Sequence, residues 1–134
     1  WRTLVAMRRI APEIERVCLT LEGGDGDTIQ RGQAGPSPWT AGLDVDDFGG
    51  SVPRLVAAAG CGVWSPFFRN LTPETVAEAT SLGLKVIPWT VNEPLDMERV
   101  IELGVAGIIT DYPDRLRAVM AKKEMPLPPP APAR

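Results

Sequence analysis

The sequence predicts an α/β fold: four parallel strands with helices on their outer face, the equivalent of half a (β/α)8 barrel. Three observations carry this. After residue 50 the chain repeats itself: "LVAAAGCGVWSPFF", "EATSLGLKVIPWTV" and "VIELGVAGIITDYP" each read as a helix end, a glycine, an apolar strand and a polar or proline-bearing end. The aligned glycines, Gly60, Gly83 and Gly104, lie 23 and 21 residues apart, where a helix end calls for a left-handed cap. The runs "GVW", "KVIPW" and "AGIIT" suit strands buried on both faces. Alternation of this kind with tight loops means parallel strands joined by helical crossovers. A unit this short fits the barrel better than an open doubly wound sheet.

The elements follow in order. Residues 2–10 place Leu4, Val5 and Ile10 near one face with charges between, which predicts a helix ended by Pro12. Residues 15–21, "ERVCLTL", read as a buried strand. Residues 22–50 are dense in Gly, Pro, Asp and Ser and are expected to form a long, solvated, mobile acidic loop. Strands are then expected over 61–65, 84–89 and 106–110. Thr72 before Pro73 marks one helix start. Asn92 before "EPLDMERVIEL" marks the next, and Asp111 or Tyr112 before "PDRLRAVMAKK" the last. A whole barrel takes roughly 200–250 residues, so four strands make half of one. Half a barrel leaves two sheet edges and an uncovered interior.

Composition bounds the chemistry. The net charge is −3, and no segment clusters Lys and Arg, which argues against nucleic acid as a partner. No apolar run approaches the ~20 residues of a membrane span. The chain begins at Trp1 without a visible signal peptide, which suggests a processed product or an excerpt of a longer protein. There is no histidine, so the usual general base and the commonest metal ligand are both missing. Cys18 and Cys61 have no zinc spacing. They are expected as two buried thiols, with a disulfide as the alternative. The tail "EMPLPPPAPAR" divides the chain into a folded part, 1–123, and a disordered proline-rich part, 124–134. An SH3-type ligand reading of "PLPPPAP" has little to support it.

"GLKVIPWTVNEPLDMERVIELGVAGIITDYPDRL" resembles the C-terminal segment of the glycerophosphodiester phosphodiesterase family, and the similarity extends over residues 1 to about 121. The resemblance implies the C-terminal half of a TIM barrel of the PLC-like phosphodiesterase type. It also implies hydrolysis of glycerophosphodiesters to glycerol 3-phosphate and an alcohol, with a divalent metal, Ca or Mg, in the intact enzyme. The family's HRG and ExD motifs, which carry its catalytic histidines and metal-binding acids, are absent from these 134 residues. The chain alone is therefore expected to bind no metal and to show no activity. The alternative is a non-catalytic half-barrel that folds by association with the missing half or with a second copy.

In such barrels function sits on the loops after the strands. Trp89 falls there, as an apolar wall for substrate or as a packing residue. Phe67 and Phe68 either line the substrate mouth or divide between mouth and core. Asn92 caps the next helix or holds the site. Asp111 ties down the closing loop or supports a metal ligand from behind. Glu22 is the one acid placed to approach a metal, although the "GGDGD" after it suggests a solvated loop. Asp25, Asp27, Asp44, Asp46 and Asp47 invite a calcium reading, but their spacing is not that of a calcium loop.

Overall fold

The computed structural model describes residues 1–129. The order is helix α1 (Arg2–Ile10), strand β1 (Val17–Thr20), α2 (Val52–Ala59), β2 (Val63–Pro66), α3 (Pro73–Ser81), β3 (Lys85–Val86), α4 (Pro94–Glu102) and α5 (Pro113–Lys122). The strands form one parallel sheet in the order β1-β2-β3, with Cys18 opposite Trp64 and Trp64 opposite Val86. Phe67 and Trp89 add one more parallel bridge beyond the strand ends. No helix among the described residues is long and apolar enough to cross a membrane.

The expected fourth strand is the main departure. Residues 106–110 run extended beside β3 but do not form a regular strand. Ala106 N–H donates to Val86 O at 2.8 Å, Ile109 N–H to Pro88 O at 2.9 Å and Val91 N–H to Ile109 O at 2.9 Å. The cause is Pro88. At the position where the ladder needs a donor facing residue 106, proline has no N–H. The pairing survives as three bonds with one residue bulged out.

The core lies between the sheet and its helices. Cys18, Trp64 and Val86 meet Leu55, Val56, Val76, Ala79, Met97 and Val100 there. β2 is buried along its whole length, as a central parallel strand should be. β1 alternates: Cys18 and Thr20 are buried, while Val17 and Leu19 are exposed on the other face. Two helix signals behave as the sequence implies. Thr72 and Thr75 form a reciprocal cap at the start of α3. Gly60 sits at φ 79° past α2, and a Cβ there would also collide with Arg8 at 2.7 Å.

Cys18 and Cys61 form a disulfide, not two thiols, with Cα atoms 5.9 Å apart. The parallel register brings them together. Arg16 O accepts from the Gly62 and Val63 amides, and Arg16 Nε donates to Gly60 O at 3.0 Å. The bond closes a loop of 43 residues, for which chain entropy predicts a stabilisation of about 4 kcal/mol. Reduction, or Cys18→Ala with Cys61→Ala, should lower the urea midpoint accordingly. Equal midpoints with and without reductant would show that the bond contributes nothing.

The loop after β1 is folded, unlike the mobile loop expected. Ile29 and Val45 enter the core, and Ser37 and Thr40 are buried. Three of its acids bind backbone. Asp27 accepts from the Ile29 and Gln30 amides at 2.7 and 2.9 Å, Asp44 from Asp46 N–H at 3.0 Å and Asp46 from Gly32 N–H at 2.8 Å. Partial burial pushes the Asp27 carboxyl up, but the Gln30, Gly23 and Ile29 amides outweigh it and hold it below the usual range.

Of the proline-rich segment, residues 130–134 lie outside the described part. Before them, Met125 N–H donates to Met120 O at 2.9 Å and Arg117 Nη1 to Pro128 O at 2.8 Å.

Candidate functional site

The C-terminal ends of the strands share one rim of the sheet. Trp89 stands at the end of the third strand and is tied at both its backbone and its indole. Its N–H donates to Pro66 O at 3.0 Å, its carbonyl accepts from Phe68 N–H at 3.0 Å, and its indole Nε1 donates to Ser65 O at 2.8 Å. Ser65 is itself fixed, with its hydroxyl on Ile87 O at 2.6 Å. The Trp89 ring is half-buried and 5.7 Å from the Phe67 ring. With the indole N–H satisfied, the apolar body of the ring is what remains for a ligand.

The two phenylalanines divide. Phe67 is half-buried beside Trp89. Phe68 is 7% exposed and belongs to the core, packed edge-on to Phe67 at 5.0 Å. The guanidinium groups of Arg69 and Arg99 lie 5.4 and 5.9 Å from the Phe68 ring centre, and Arg99 Nη2 donates to Phe68 O at 2.9 Å. Phe68 therefore anchors the loop that presents Phe67. Phe68 opens a 3-10 turn, Phe68–Asn70, just past the end of β2, with Phe67 as the residue before it.

Asn92 does not cap α4. Glu93 holds that position and makes no side-chain cap bond. Asn92 instead staples the third mouth loop to the fourth. Its Oδ1 accepts from Asp111 N–H at 3.0 Å and from the Thr110 hydroxyl at 3.2 Å, and its Nδ2 donates to Asp111 Oδ2 at 2.9 Å. Arg115 Nη1 reaches Asn92 O at 3.2 Å and stacks 3.9 Å over the Tyr112 ring. Asp111 is exposed and tied to this staple.

A second asparagine, which sequence reasoning misses, makes the same kind of clamp between the first two loops. Asn70 Oδ1 accepts from Glu22 N–H and its Nδ2 donates to Glu22 O, both at 3.0 Å. Glu22 is half-buried and its Oε2 pairs with Arg31 at 2.7 Å. Burial raises its carboxyl above the usual range; Arg31 lowers it, Asp27 raises it, and the net shift is upward. The only signal for Asn70 in the sequence is its place one short turn after a strand.

The polar groups at this rim thus position loops. Among the described residues no three of His, Cys, Asp and Glu converge as metal ligands. Glu22 is paired with Arg31, Asp27, Asp44 and Asp46 hold backbone amides and Asp111 holds Asn92, and no cluster of acids among the described residues fits a divalent cation.

A sequence model described as the glycerophosphoryl diester phosphodiesterase family matches residues 1–115. A glycerophosphodiester phosphodiesterase of Caldanaerobacter subterraneus is 47% identical over 57 residues, 42% of this chain and 24% of that protein. An uncharacterized protein of Bacillus subtilis is 30% identical over 120 residues, 88% of this chain and 39% of that one. The crystal structure of a protein of Silicibacter pomeroyi named "Putative glycerophosphoryl diester phosphodiesterase" superimposes with a TM-score of 0.74 at 37% identity, over 93% of this chain and 37% of that chain. The chain thus spans between about a quarter and two fifths of the length of these relatives.

Proposed function

Since the chain belongs to the glycerophosphoryl diester phosphodiesterase family, we propose that it supplies one wall of the substrate mouth in an enzyme that hydrolyses glycerophosphodiesters to glycerol 3-phosphate and an alcohol. The observation that supports this most is the Trp89–Phe67 pair at the strand ends, held by backbone bonds on both sides and still half-open. Apolar ring surface at the mouth of a barrel suits the carbon atoms of a small ester, and strand ends are where barrels place their sites. Asn70 and Asn92 hold the loops on either side of it.

In this reading the acid–base groups and the divalent cation, Ca or Mg, belong to residues outside these 134. The sequence has no histidine, and its acids do not form a donor set among the described residues. No step is assigned to a metal held by this chain. What its own side chains do is bind the substrate's apolar surface, fix the loops and exclude water from one side of the mouth.

The 134-residue chain is accordingly expected to show no diesterase activity, since each missing acid–base group is worth ~10²–10⁴-fold. Purified chain, glycerophosphocholine and Ca or Mg test this through glycerol 3-phosphate release. Steady release above a metal-free control would overturn the assignment. A second reading, a non-catalytic half-barrel that associates, draws support from the two open sheet edges.

A further inference from the structure

A proline stands inside the central strand, where it removes a ladder donor. The bonds between β2 and the third strand alternate from one chain to the other. Ile87 N–H donates to Trp64 O at 2.9 Å, and Trp89 N–H to Pro66 O and Phe68 N–H to Trp89 O, each at 3.0 Å. The same alternation calls for an N–H of residue 66 on Ile87 O. Pro66 has none.

Ser65 supplies the missing donor. Its hydroxyl donates to Ile87 O at 2.6 Å, and the residue is fully buried, so bulk water does not compete for that bond. Ser65 also meets Trp89. Its carbonyl accepts the indole N–H at 2.8 Å. One serine thus holds both ends of the segment Ile87–Trp89, the first by its backbone and the last by its ring. That segment has little else of its own: β3 ends at Val86, and Pro88 has no amide to offer. Without the hydroxyl, Ile87 O loses its donor, and the segment that carries Trp89 must shift to find another.

We propose that Ser65 is a positioning residue for the reaction: its hydroxyl replaces the ladder donor that Pro66 lacks, and so sets the angle at which the Trp89 ring meets substrate. The inference rests on the reading of Trp89 as a substrate wall and adds the group that orients it. Orientation counts because a ring already in place loses no rotamer freedom when substrate binds.

The test is a rescue, made in a chain carrying the complete family domain. Ser65→Ala should raise KM about 3–10-fold, the worth of one hydrogen bond, with kcat near wild type. It should also speed solvent exchange of the Trp89 indole proton, followed by NMR. Combining Ser65→Ala with Pro66→Ala returns a backbone N–H to position 66 and should bring both KM and exchange back toward wild type. A side chain that only filled space would not be rescued in this way. If Ser65→Ala alone does not fold, recovery of the fold, KM and slow exchange in the double variant reads the same rescue. Wild-type KM and exchange in Ser65→Ala, or a defect that the double variant leaves unrepaired, would overturn the proposal. Exchange lost and regained while KM never moves would overturn it through the reading of Trp89, with the serine's hold on the ring intact.

Discussion

Trp89→Ala, made in a chain carrying the complete family domain, is expected to lower kcat/KM by about 10–100-fold while the fold stays intact. The magnitude comes from area. Covering substrate with an aromatic ring is worth ~1.5–3 kcal/mol, which is one to two decades in rate when it is lost from the transition state. The stability cost should stay below about 2 kcal/mol, because the ring is half-open and the truncation leaves a groove rather than a sealed cavity. The backbone ties to Pro66 and Phe68 survive the change. The same variant should be measured by urea unfolding and by steady-state kinetics. A large midpoint loss with near-normal kcat/KM would return Trp89 to packing.

Trp64→Ala is expected to do the reverse. Trp64 is fully buried on the helix-facing side of β2, and its indole donates to the Thr20 hydroxyl at 2.8 Å inside the core. Truncation removes the largest side chain of that core, at ~3–5 kcal/mol, and leaves the Thr20 hydroxyl unpaired at ~1–3 kcal/mol more. Set against a typical domain stability of ~5–15 kcal/mol, the variant should lose most or all of its cooperative urea transition. A midpoint within error of wild type would mean that the sheet and helices do not pack through this residue. The two tryptophans are 25 residues apart on successive repeats, but Trp64 lies fully buried within β2 and Trp89 half-buried past the end of β3.

That difference marks how far the sequence could be read. The repeat, the glycine caps and the Thr72–Pro73 start are local signals. Local signals survive into the structure, as the left-handed Gly60, Gly83 and Gly104 and the capping box of α3 do. What fails depends on register. The Cys18–Cys61 bond needs β1 and β2 side by side across 43 residues, and nothing in the spacing shows it. Asn92 sits where a helix cap belongs, yet its side chain finds the Thr110–Asp111 turn, 18 and 19 residues away, because the two loops end on one rim. Pro88 lies inside the expected strand 84–89, and its missing N–H breaks the ladder to the neighbouring segment at 106. The acidic loop misleads for a related reason. Composition marks it as polar, while the carboxylates turn inward to its own amides and let Ile29 and Val45 reach the core.

In the proposed function this segment positions substrate and leaves the proton transfers to residues elsewhere. Glu22 is the side chain that tests this. It is a half-buried carboxyl at the rim whose proton is held more tightly folded than unfolded. Its contribution to stability is thus fully present below its unfolded value and is lost as pH rises through the raised folded one. Such a group is also what a general acid looks like. The pH profile of kcat/KM for Glu22→Gln, in a chain carrying the complete family domain, separates the two. The same limbs and the same apparent pKa values as wild type are expected, with at most a uniform drop. A limb that disappears or moves would place Glu22 in the proton transfers and contradict the proposed function.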